Sequence, residues 1–141
     1  MDSSILDLLT TASNSSGIPL ADLYAVVMNE SSGNPNAQDT SDGADARGLF
    51  QVNLPAHPDA NGSQLFNPSY NINYMLPTLT AVYKQAVAQG LSGVNTAIYL
   101  EANAEKPGMT AAITANVTKY YDEFVTTGVV GATEGSTSNL V

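Results

Sequence analysis

Glu30 is the residue whose position most invites chemistry. It follows Val27 and Val26 by three and four residues and Leu23 by seven. On a helix that spacing sets its carboxylate beside an apolar stripe. Gly33 and Pro35 close the same helix just beyond it, so Glu30 stands in the last turn, at the negative end of the helix dipole. Desolvation and the dipole both disfavour a second negative charge there and push a carboxyl pKa upward. A carboxyl that keeps its proton near neutral pH is a general acid. From position alone, a boundary residue with its head in water is the commoner reading.

Other reactive side chains are sparse. Asp39, Asp42 and Asp45 lie three apart in a polar segment. That spacing does not fit a calcium-binding helix-loop-helix, whose ligands alternate and end in Glu. The segment reads as a solvated loop, with a second carboxylate for the site as its functional alternative. Glu101 and Glu105 are further outside candidates for that carboxylate, with ordinary surface readings. His57, the one histidine, sits between prolines in LPAHPDANG, and no G-x-S-x-G elbow exists to partner it. With no cysteine and one histidine, thiol chemistry and the usual zinc sites are excluded. Neither a metal nor a cofactor is expected.

Thirteen acidic residues face four basic ones, for a net charge of -9. Such a surface repels phosphate backbones and anionic membranes, so neither nucleic-acid binding nor membrane insertion is expected. No run approaches the roughly 18 apolar residues of a membrane span. The start, MDSSILDLLTTAS, has neither the basic opening nor the apolar run of a secretion signal. The expectation is a chain that stays inside, leaves by another route, or belongs to a larger particle.

The elements that must position Glu30 are helical. Residues 2–12 predict a helix capped by Asp2 or Ser3, with Ile5, Leu8, Leu9 and Ala12 on one face, then a loop over 13–17. Pro19 suits the first turn of the helix carrying Glu30, with Asp22 near its positive end. Residues 34–47 and 54–67 read as loops around GLFQVN (48–53), which strand and turn fit equally. Asn67-Pro68 opens a helix ending at Gly90, with Ile72, Met75, Leu79, Val82, Tyr83 and Ala86 as its apolar stripe and Pro77 expected to kink it. Ser92 caps a fourth helix through about Ala104, and Pro107 opens a fifth carrying Ile113, Val117, Tyr120 and Phe124. Residues 128–141 have no period and read as a flexible tail. The fold class is mostly α: a single domain over 1–127, with long loops and little or no β.

ESSGNPNA (30–37) followed by GLFQVN (48–53) resembles the soluble lytic transglycosylase family, which shares the goose-type lysozyme fold. GIPLADLYAVVMNES (17–31) is similar to the helix that delivers that family's catalytic Glu, and NPSYNINYMLPTL (67–79) to its later Asn-Ile helix. The resemblance spans roughly residues 14–124. It implies that Glu30 protonates a glycosidic oxygen and that Ser31 orients its carboxyl. It implies that Gly48 and Leu49 let backbone approach the sugar, and that Gln51 hydrogen-bonds in the cleft. A helix-end serine, a turn glycine and a solvated glutamine are the plain alternatives for Ser31, Gly48 and Gln51. The third family motif, Ala-Tyr-Asn-Ala-Gly, is degraded in AIYLEANAEKPG (97–108). Tyr99 is the candidate aromatic wall, packing on the core its alternative. Met75 stands where the family usually has Gly.

What the resemblance implies is cleavage of the MurNAc-GlcNAc β-1,4 bond of bacterial peptidoglycan. One Glu acts as acid and then as base, while the sugar's own 6-hydroxyl closes a 1,6-anhydro ring. A lysozyme-type hydrolase, which needs a second carboxylate or a held water, is the alternative. A wall-binding or structural module that has lost activity is another. Peptidoglycan strands are the expected partner. A phage particle acting at the cell wall, with other virion or tail proteins, is the expected setting; a secreted or periplasmic bacterial enzyme is the alternative.

Overall fold

The computed structural model describes residues 1–104 and 109–128. Helix α1 spans Ser3–Ser16, with the Asp2 carboxylate accepting from the Ser4 amide at 2.7 Å as N-cap. It runs through the serine-rich stretch expected to be loop. The reason is local: Gly17, at φ 82°, caps the helix by donating its N–H to the Ser13 carbonyl, and the Ser13 and Ser15 hydroxyls donate to the Ile18 and Ala12 carbonyls. Serines that would compete with the helix backbone are thereby satisfied within it.

Helix α2, Leu20–Ser31, is the centre of the molecule. Every residue from Ala21 to Met28 is buried, because α1, α4 and α5 all pack against it. The expected stripe is therefore a full circumference, and it includes Asp22 at 0% exposure. Ser32 ends α2 in a left-handed conformation, its N–H donating to the Met28 carbonyl.

Three antiparallel two-residue strands follow: β1 (Gln38–Asp39), β2 (Ala46–Arg47) and β3 (Val52–Asn53), in spatial order β1-β2-β3. Gln38 pairs with Arg47 and Arg47 with Val52. GLFQVN resolves into both of its expected alternatives, a turn over 48–51 and then β3.

Helix α3, Pro68–Ala88, begins under an Asn67 cap and continues past Pro77 without ending. Pro77 and Asn73 are both exposed, so water can take the Asn73 carbonyl that Pro77 leaves unpaired. Helix α4, Val94–Asn103, starts after Gly93 rather than Ser92. Helix α5, Ala111–Thr127, is capped by Thr110, whose hydroxyl accepts from the Ile113 amide. Its start is thus later than expected from Pro107, which lies outside the described residues, as do Glu105 and the expected tail beyond Gly128.

Val117 of α5 packs on Ala25 and Ala97, while Tyr120 and Phe124 flank Tyr24. The main core joins α1, α2, α3 and the loop through Leu9, Leu23, Val27, Leu49, Val52, Leu65 and Leu79, each at 0% exposure. The fold is mostly α with a small sheet. Among the described residues no helix is long and apolar enough to cross a membrane.

Candidate active-site cleft

Glu30 lies in the last turn of α2 and is half-buried. It lines a crevice of about 10 Å³ together with Val26, Phe50, Met75, Leu79, Glu101 and Ala104. Four parts of the chain meet there. Val26 stands one turn before Glu30 on α2. Phe50 comes from the turn after β2. Met75 and Leu79 are one turn apart on α3, and Glu101 and Ala104 bracket the end of α4. The volume admits about one water. The walls are mainly apolar, so the two carboxylates are the crevice's charged groups.

Phe50 owes its place to a braced loop. Gly48 has φ 77°, and a Cβ there would lie 2.1 Å from the Leu65 carbonyl oxygen and 2.4 Å from Asn71 Nδ2. Only glycine fits that approach. Asn71, at 0% exposure, uses its whole amide: Nδ2 donates to the Arg47 carbonyl at 2.9 Å and the Leu65 carbonyl at 3.0 Å, and Oδ1 accepts from the Phe50 amide at 3.0 Å. Gln51 sits at φ 50° and donates through Nε2 to the Ala37 carbonyl at 3.1 Å and the Gly48 carbonyl at 3.0 Å. Buried backbone groups outside helices and strands must be paired somewhere, and these two amides pair them.

Of the six residues singled out from sequence, Glu30 lines the crevice and the other five do not. The Ser31 hydroxyl donates back to the Val27 carbonyl at 3.1 Å. Gly48 approaches protein backbone, Leu49 is core at 0% exposure, and Gln51 clamps the loop. The Tyr99 hydroxyl accepts from Gln89 Nε2 at 2.9 Å, toward the C-terminal end of α3.

Phe50, Met75, Leu79 and Ala104 were not singled out as lining residues, nor was Asn71 as a brace, and Glu101 was only an outside candidate for a second carboxylate. Asn71 carried a signal, being a polar residue beside Ile72 and one turn before Met75 in an apolar pattern. Glu101 carried a weaker one, following the buried Ala97 by one turn.

The aspartate loop does not reach the crevice. Arg47 donates twice to Asp45, at 2.9 and 2.8 Å, and Gln38 donates once. Those side-chain hydrogen bonds, Arg47 first, hold the Asp45 carboxyl down at about 2. Asp39 accepts from the amide and hydroxyl of Ser41. Asp42 is exposed at the loop tip. His57 stands edge-on to Tyr74, with ring centroids 5.6 Å apart, in the loop before α3. No group of three or more His, Cys, Asp or Glu is arranged to hold a metal among the described residues.

A family model described as a lysozyme like domain matches residues 10–84. The match takes in α2, Glu30, the braced loop and most of α3, and it stops before α4. No curated protein and no solved structure matches the chain.

Proposed function

The chain belongs to the lysozyme-like domain family, whose members act on peptidoglycan as glycosidases, and from that premise we propose that it cuts the MurNAc-GlcNAc β-1,4 bond with Glu30 as the acid. The observation that carries this reading is the position of Glu30. It is the helix-end carboxyl within the matched region, and it opens on a mainly apolar crevice. As general acid the Glu30 carboxyl hands its proton to the glycosidic oxygen as that bond breaks. Positive charge then develops at C1 of the muramyl sugar, beside the carboxylate that Glu30 has become.

Two outcomes follow from the same departure. In the lytic transglycosylase outcome, which the family resemblance implies, the 6-hydroxyl of the muramyl sugar attacks C1 and Glu30 takes its proton. In the hydrolytic outcome water attacks, and a second carboxylate is needed to take the water's proton. The second outcome has one observation in its favour, the presence of Glu101 in the same crevice. The acidic surface suits a domain carried to the wall by a phage particle and held there by other virion proteins, since such a domain needs no basic face for capture.

The test is digestion of purified peptidoglycan by wild type and Glu30→Gln, with soluble fragments read by mass spectrometry. Wild type should release glycan fragments, and the variant should lose at least about 100-fold in rate with its melting temperature preserved. Equal rates would remove Glu30 from the chemistry. A folded wild type that binds the wall and releases nothing would make the chain a wall-binding module.

A further inference from the structure

We propose that Glu101 is the second carboxylate of this cleft, acting as general base toward a water and so committing the reaction to hydrolysis. The inference rests on the reading of Glu30 as the acid. Glu101 comes from α4, outside the family match, and lines the same crevice as Glu30. Its Oε1 accepts from Asn29 Nδ2 at 3.0 Å. Asn29 immediately precedes Glu30, so this hydrogen bond ties Glu101 of α4 to the last turn of α2.

Glu101 is half-buried and shares its crevice with Glu30 and the apolar Val26, Phe50, Met75 and Leu79. The crevice that both acids line has the volume of about one water. An inverting glycosidase pairs its acid with a second carboxylate that activates the attacking water. The aspartate loop offers no competitor: Asp45 is held by Arg47 and Gln38, and neither Asp39 nor Asp42 lines the crevice.

The step balances without a further reactant. The Glu30 proton moves to the glycosidic oxygen, which leaves C1 with the bonding pair. The water oxygen bonds to C1 and its proton goes to Glu101. Solvent then carries that proton from Glu101 back to Glu30. The product is a free muramyl reducing end of inverted configuration instead of an anhydro ring.

Digestion of peptidoglycan in ¹⁸O-water tests this on the wild-type protein itself, and three variants sharpen it. Wild type should place ¹⁸O at new reducing muramyl ends. Glu101→Gln, which keeps the acceptor for Asn29, should lose at least about 100-fold in rate. Glu101→Ala should regain turnover with added azide and yield a glycosyl azide, a rescue that a merely structural role would not give. Glu30→Gln should be inactive and azide should not restore it. Anhydro-muramyl ends from wild type, or wild-type rates from Glu101→Gln, would overturn the role of Glu101 while an inactive Glu30→Gln kept the acid in place. A folded wild type that releases nothing would overturn both.

Discussion

Replacing Asp22 with Asn should make the protein more stable above pH 6 and leave it unchanged near pH 4. Asp22 has 0% exposure, and its Oδ1 has no hydrogen-bond partner among the described residues. The Thr96 hydroxyl lies 2.6 Å from Asp22 Oδ2 and 2.8 Å from the Gly93 carbonyl oxygen. Thr96 has one proton to give. If Asp22 is ionised, it competes with Gly93 for that proton. If Asp22 is neutral, it donates to Thr96, Thr96 donates to Gly93, and the chain is satisfied. Burial pushes the Asp22 carboxyl up from 3.8 to about 6, with the Thr96 hydrogen bond opposing the rise. The first turn of α2 favours an anion, but by only about 0.3–1 kcal/mol. A rise from 3.8 to about 6 corresponds to about 3 kcal/mol, so burial wins.

The direction with pH follows from proton counting. Between pH 3.8 and about 6 the folded chain holds a proton that the unfolded chain has released. The stabilisation tied to this group is therefore complete below pH 3.8 and is lost as pH rises to about 6. Asparagine cannot ionise, and its Nδ2 can donate to Thr96 as the acid proton does. Denaturant unfolding of both proteins from pH 4 to 8 reads the difference directly, because carboxylates common to both cancel. The gap should open from near zero at pH 4 to about 3 kcal/mol above pH 6, roughly 10 °C in melting temperature. A gap that is constant with pH, or an asparagine variant weaker throughout, would refute a neutral buried Asp22.

The braced loop gives two further expectations. Gly48→Ala drives a Cβ to 2.1 Å from the Leu65 carbonyl oxygen and should cost about 3 kcal/mol or more, or prevent folding. Gly43→Ala, at the same φ of 77° but with nothing within 4 Å, should cost only about 1 kcal/mol, and similar thermal shifts for the two would contradict the close approach. Asn71→Leu keeps the volume but strands the Phe50 amide and the Arg47 and Leu65 carbonyls; it should cost on the order of 4 kcal/mol. A loss under about 1 kcal/mol by denaturant unfolding would show that the loop does not depend on that amide.

The helices were legible because their apolar spacing survives without tertiary help. Ile72, Met75, Leu79, Val82 and Ala86 mark the buried side of α3 in sequence as in space. The full burial of α2 was not legible. Asp22 looked like a favourable charge at a helix start, and only the packing of α4 and α5 closes over it. Ser13 to Ser16 misled because serine's preference for caps and turns is a local tendency, and here their hydroxyls found carbonyls without leaving the helix. Glu30 could be singled out from its own helix alone. Glu101 could be named only as an outside candidate, since its place in the same crevice depends on how α4 docks against α2, which no local pattern encodes.

Gly48 and Gln51 were legible as residues, and the family resemblance implied that they serve a sugar. In the fold they hold up the wall that carries Phe50: glycine lets β2 pass against Leu65 and Asn71, and glutamine ties the turn to Ala37. A loop with few apolar residues cannot be fixed by packing alone. Its buried carbonyls and amides need side-chain partners, and an amide of fixed length reaches them only at certain spacings. The same spacing would be required whether or not a sugar were touched. Sequence motifs around a helix-end acid therefore report the scaffold at least as much as the chemistry. In this chain the motif contributes Phe50 to the crevice that Glu30 lines, and the other walls come from Val26, Met75, Leu79, Glu101 and Ala104.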